Sequence, residues 1–231
     1  MDGRSNQEWL DSVYDKLLVK MRAQCQRVGT DIPYTPGKDG KYHDITETQW
    51  GSKDSPYGVR FWTNGFWPGM LWQMYQATGD EAYKEAAVGV EDRLAALLDN
   101  SEEVDHDLGF LFLLSAVADY RKTGSRTARS RGLQAANLLA ARYNLDGKFI
   151  RAWPDGMAKM TEHFGGGDIR GWMIIDCMMI SPCCIGPLRR PATPGSRRLL
   201  STTPRPPSST WSGPTEAATT SWLLIPTPVS T

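Results

Sequence analysis

Between Glu8 and Arg27 the apolar residues Trp9, Leu10, Val13, Leu17, Leu18, Met21 and Cys25 recur at helical spacing and predict an amphipathic helix. A loop rich in Gly, Pro and Asp follows over residues 29–60. The next stretch, "NGFWPGMLWQMYQATGDEAYKEAAVGVEDRLAALLDN", reads as two helices. Pro68 suits a first helical turn, Gly79 stops the first helix and Asp80 caps the second. The same turn chemistry returns at Thr123, Gly124 and Ser125, between "HDLGFLFLLSAVADYRK" and "RTARSRGLQAANLLAARYN". Repeated helical hairpins predict an all-α solenoid or closed toroid. Leu108 to Ala118 is apolar nearly all round, whereas the following helix shows Arg126, Arg129, Arg131 and Gln134 on one face, so inner and outer helices are distinguishable.

Beyond Ile180 the pattern stops. Ten of the 15 prolines lie in Ser181–Thr231, with 17 Ser or Thr, five Arg and a single acid, Glu216, which is the composition of a disordered segment. The expected organisation is therefore a folded part over residues 1–180 and a tail over 181–231.

Charge changes little in this picture. The 26 basic and 26 acidic residues balance, so nothing calls for nucleic acid or an anionic membrane. With no signal-like start and no apolar run of spanning length, the expectation is a soluble, cytoplasmic protein with no membrane partner. Neither the four cysteines (25, 177, 183, 184) nor the three histidines (43, 106, 163) fall at metal-ligand spacing, so free thiols and no metal are expected. The glycines at 165–167 match no phosphate-binding motif and read as a flexible loop.

Two carboxylates interrupt apolar helices: Asp107 in "VDHDLGF" and Asp176 in "GWMIIDCMM". Flanked by Ile174, Ile175, Met178 and Met179, Asp176 should be desolvated, which favours the protonated form and suits a general acid near neutral pH. A helix cap or a structural ion pair is the plainer account of either acid from the residues alone. His106 could bind a substrate or close a helix terminus. Trp67 and Trp72, inside a helix, fit the core, while Trp62 and Trp153, beside loops, could fill a core or stack on a sugar ring.

The strings "WTNGFWPGMLWQMYQATGD", "DHDLGFLFLLSAVADYR", "GLQAANLLAARYN", "FIRAWPDG" and "GWMIIDCMM" resemble the unsaturated glucuronyl hydrolases of glycoside hydrolase family 88, over about Trp62 to Met179. The resemblance implies an (α/α)6 toroid of six hairpins, here truncated to about its first half. It implies an enzyme that takes a 4,5-unsaturated uronic acid from the non-reducing end of oligosaccharides made by polysaccharide lyases. In that chemistry an acid protonates C4 of the double bond, water adds at C5, and the hemiketal rearranges to expel the remaining sugar, with no metal or organic cofactor. Carried over by motif, Asp176 would be the general acid and base and Asp107 its partner. His106, Trp62 and Trp153 would contact the sugar. A neighbouring family, the unsaturated rhamnogalacturonyl hydrolases, and a noncatalytic helical-repeat module that binds sugars are the alternative readings.

Family members continue past the Asp176 helix with a string close to Asn-Leu-Pro-Leu-Leu-Tyr-Trp-Ala, whereas this chain reads "ISPCCIGPLRRPATPGS". Codons for Ser181 to Pro187, shifted back by one base, permit Leu-Pro-Leu-Leu-Tyr-Trp-Ala, and those for Leu188 to Ser196 permit Ser-Glu-Glu-Thr-Gly-Asp-Pro-Arg-Phe. The expectation is a frameshift near Ile180 and a polypeptide that is poorly folded and inactive as written.

Overall fold

In the computed structural model the described residues are 5–47, 57–100, 102, 104–154, 169–180 and 225–226. The first helix, α1 (Asn6–Val28), is set by a capping box: the Ser5 hydroxyl accepts the Glu8 N–H, and the Glu8 carboxylate accepts the Ser5 N–H. Its apolar stripe is only half used. Met21, Cys25 and Val28 are buried, whereas Trp9, Leu10, Val13 and Leu17 face solvent, because no described element covers that end.

The expected loop contains structure. Strands β1 (Pro33–Pro36) and β2 (Tyr42–Asp44) pair antiparallel, and a short helix α2 (Tyr57–Arg60) follows. Asp44 ties this hairpin down: its carboxylate accepts from the Ile32 N–H at 2.9 Å, from the Thr46 hydroxyl and from both Nη atoms of Arg93. Burial works against the charge, yet these donors hold the Asp44 carboxyl well below the usual range.

The first helical hairpin forms as the sequence predicts. Helices α3 (Phe66–Thr78) and α4 (Glu81–Ala95) are joined by Gly79 in the left-handed region at φ 70°, and Asp80 accepts the Ala82 N–H. Trp67 and Trp72 are buried in the core. In the second hairpin the expected inner helix is broken in two. At Ser115, α5 (Leu108–Leu114) gives way to α6 (Ala116–Thr123), and the Ser115 hydroxyl donates to the Leu111 carbonyl at 2.6 Å. Gly124 and Ser125 then turn the chain into α7 (Arg126–Ala141).

A polar network crosses between the hairpins. Arg131 on α7 donates to Glu91 on α4 at 2.8 Å and lies 2.7 Å from Asp92, while Asp119 on α6 is buried nearby. Burial lifts the Glu91 carboxyl to about 7, and the Asp119 charge adds to this, against the pull of Arg131. The folded chain thus keeps a proton that the unfolded chain releases above the ordinary 4.5, so this group's contribution to stability falls as pH rises from about 4.5 to about 7. The Glu91→Gln variant removes that titration. Its stability in urea, compared at pH 5 and pH 8, should decline less than that of the parent by on the order of 3 kcal/mol; an equally steep decline would contradict the assignment.

After α7, strands β3 (Tyr143–Asn144) and β4 (Phe149–Ile150) form a hairpin. Strand β5 (Trp172–Met173) and helix α8 (Cys177–Ile180) follow, and β5 pairs with β6 (Ile225–Pro226). The apolar run around Asp176 is therefore not one long helix. The glycine loop at 165–167, Cys183, Cys184, His163 and the tail, apart from Ile225 and Pro226, lie outside the described residues, as does the expected frameshift. Cys25 and Cys177 are buried, their Sγ atoms 3.6 Å from the Ala82 carbonyl and 3.8 Å from the Ile150 carbonyl. No described helix is long and apolar enough to cross a membrane.

Candidate active site

Asp107 and Asp176 occupy equivalent places, each immediately before the first residue of a helix, α5 and α8. The Asp107 side chain makes no capping bond to its helix. That leaves the carboxylate for other partners, and the cap alternative does not apply to it. The Asp176 carbonyl accepts the N–H groups of Met179 and Ile180, so its backbone starts α8 while its side chain turns inward.

His106 lies between the two acids. Its Nε2 is 3.3 Å from Asp176 Oδ2 and 3.3 Å from Asp107 Oδ1. Its Nδ1 is 2.7 Å from the Ala152 carbonyl. A carbonyl can only accept, so Nδ1 carries the proton there and Nε2 is turned to the carboxylates. The ring is 1% exposed. The edge of Trp153 packs on it at 6.1 Å, and Trp153 in turn meets Trp172 at 6.3 Å.

The charges in this cluster shift one another. Burial raises Asp107 to about 7, with the charges of Asp105 and Asp176 acting in the same direction and His106 and Arg142 opposing them. Burial also disfavours the charged form of His106, but the hydrogen bond it donates to Asp176 and the charges of Asp107 and Asp105 overcome it and lift the imidazole to about 9. At neutral pH the imidazole is therefore held in its charged form, beside an Asp107 carboxyl that burial pushes toward its protonated form. Asp176 keeps Oδ2 toward His106, while its Oδ1 is buried with no hydrogen-bond partner among the described residues.

The flanks of Asp176 depart from expectation. Ile174 and Cys177 are buried, but Ile175 is 67% and Met179 64% exposed, so the carboxylate is sheltered by His106, Asp107 and one side of its own segment. Among the expected sugar contacts, Trp62 is 39% exposed and clusters with Phe66 and Phe110, the latter one turn after Asp107 on α5. Trp153 is buried against His106, and His106 has both ring nitrogens engaged by protein oxygens. Asp105, which accepts the Asp107 N–H at 2.9 Å, was legible only as the first acid of the Asp-His-Asp triplet. Arg142, which donates to the Val104, Arg151 and Ala152 carbonyls, had as its one signal a cation directly after the short apolar run Leu138–Ala141.

No family model matches the chain. Among curated proteins, an unsaturated glucuronyl hydrolase from Bacillus sp. (strain GL1) is 33% identical over 195 residues, covering 83% of this chain and 45% of its own length. An unsaturated chondroitin disaccharide hydrolase from Streptococcus pneumoniae is 32% identical over 176 residues, covering 74% of this chain and 38% of its own. Among solved structures, that of an unsaturated glucuronyl hydrolase from Bacillus sp. GL1, responsible for the degradation of glycosaminoglycan, superposes with a TM-score of 0.64 at 30% identity. The superposition takes in 84% of this chain and 46% of that one. The chain thus spans less than half the length of the relatives it matches.

Proposed function

The chain belongs to the unsaturated glucuronyl hydrolases of glycoside hydrolase family 88 and carries part of their (α/α)6 toroid, and from that premise we propose that its acid cluster is the proton-handling half of such an active site. The substrate class is an oligosaccharide ending in a 4,5-unsaturated uronic acid, and the reaction is hydration of its double bond. The observation that carries this reading is the unequal use of the Asp176 oxygens: Oδ2 is held by His106, while Oδ1 is buried and unpartnered among the described residues.

Asp176 delivers its proton to C4 and then, as the carboxylate, takes one from the water that adds at C5. The hemiketal so formed opens and releases the remaining sugar. Asp107, reaching the same His106 nitrogen, sets the charge against which Asp176 works. His106 serves the acids from behind, because its ring is enclosed and its nitrogens are occupied. Trp62, partly exposed, would stack on a sugar ring, and Trp153 backs the imidazole.

The chain as written carries under half of a relative's length, and we propose that it does not turn over substrate alone. The test compares it with a version whose reading frame is restored after Ile180. Both are incubated with unsaturated glucuronyl and unsaturated rhamnogalacturonyl disaccharides while the ultraviolet absorbance of the alkene is followed. Loss of absorbance on the glucuronyl substrates with the restored version alone is expected. A restored protein that cleaves saturated sugars and leaves the alkene intact would refute the reading.

A further inference from the structure

Arg142 closes α7 at the side of the molecule where the acid cluster is built, and its guanidinium makes a fork of three bonds to main-chain oxygens. Nε donates to the Arg151 carbonyl at 3.0 Å, Nη1 to Val104 at 3.2 Å and Nη2 to Ala152 at 3.0 Å. These are not scattered acceptors. Val104 lies two residues before His106 in the same loop, and Ala152 is the residue whose carbonyl accepts both the backbone N–H of His106 at 3.1 Å and its Nδ1–H at 2.7 Å. Arg142 and Arg151 also face each other across the β3–β4 hairpin, where the Arg151 N–H donates to the Arg142 carbonyl at 3.0 Å. One planar side chain thus holds both sides of the contact that orients the imidazole.

We infer that Arg142 is a positioning residue: by fixing the Val104 and Ala152 carbonyls it keeps His106 in the Nδ1–H form, with Nε2 aimed at Asp107 and Asp176. Only a guanidinium can make this fork. A lysine at the same place is a point charge on a flexible stem and can satisfy one carbonyl well. Without the fork the Ala152 carbonyl is free to drift from His106, and an imidazole released from that acceptor can rotate or change tautomer. The charged groups around His106 are Asp105, Asp107 and Asp176, with Arg142 behind the carbonyl; the close contacts to Asp107 and Asp176 last only while Nε2 points at them.

The inference rests on the proposed proton-handling role only for its catalytic consequence, so its test reads the imidazole directly and needs no turnover. Nitrogen-15 NMR of the histidine rings in the full chain, titrated from pH 5 to 10, should show one histidine, assigned by its loss in His106→Gln, that stays protonated past pH 8. In Arg142→Met that resonance should titrate at least one pH unit lower and show both neutral tautomers at high pH. Arg142→Lys should restore the chain's circular dichroism while recovering the titration only in part. An unchanged His106 titration and tautomer in a folded Arg142→Met or Arg142→Lys protein would overturn the inference. Loss of fold in both would overturn it too, since the guanidinium would then be holding the hairpin as a whole.

Discussion

In a frame-restored protein, Asp176→Asn is expected to lower the rate of alkene loss by about 10²- to 10⁴-fold, the range that a positioned general acid contributes. The amide is nearly isosteric and can still accept from His106 Nε2 through its oxygen, so the 3.3 Å contact has a substitute. What it cannot do is give up a proton to a carbon. The deficit should therefore appear in kcat, with KM for an unsaturated disaccharide little changed. A second signature separates this from simple damage: removing one of the carboxylates that lift His106 to about 9 should bring the imidazole's titration down, while the Nδ1 bond to Ala152 holds its orientation. An Asn variant that consumes the alkene at the parental rate would remove Asp176 from the acid role.

How far the sequence foretold this centre depends on which interactions are local. Helix α3, the Gly79 and Asp80 turn and the Gly124 and Ser125 turn are decided by neighbouring residues, and the pattern located each of them. The break at Ser115 was not legible. A serine in an apolar run carries no stop signal until its hydroxyl takes the Leu111 carbonyl. The burial of α1 was legible for Met21 and Cys25 but not for Trp9 and Leu17, because periodicity marks an apolar face without saying whether anything packs on it. At the site, Asp107 and Asp176 could be picked out as acids set among apolar residues. Their convergence on a single imidazole nitrogen is a contact between residues far apart in the chain, and no spacing rule contains it. Periodicity also misjudged the shelter of Asp176: with α8 only one turn long, Ile175 and Met179 turn outward.

The same convergence rests on an absent side chain. Gly109, the second residue of α5, lies against the end of α8, and a Cβ built on it would come within 2.6 Å of Ile180 Cβ and 2.8 Å of Ile180 Cα. The second of these is backbone, so an alanine cannot be accommodated by a change of rotamer; α8 must move as a unit. Because Asp176 leads directly into α8, the movement draws its carboxylate away from His106. In the chain as written, Gly109→Ala should cost about 1–3 kcal/mol of stability as overpacking, and the His106 resonance should titrate at a lower pH, since one of the acids that raise it has been withdrawn. In the frame-restored protein, a displacement of about 1 Å at Asp176 should reduce kcat/KM on the order of 10²-fold. Ile180→Ala in the same background removes the branched tip and should recover part of both losses. An alanine at 109 that leaves stability and the His106 titration untouched would mean that α5 and α8 do not meet as closely as the site requires.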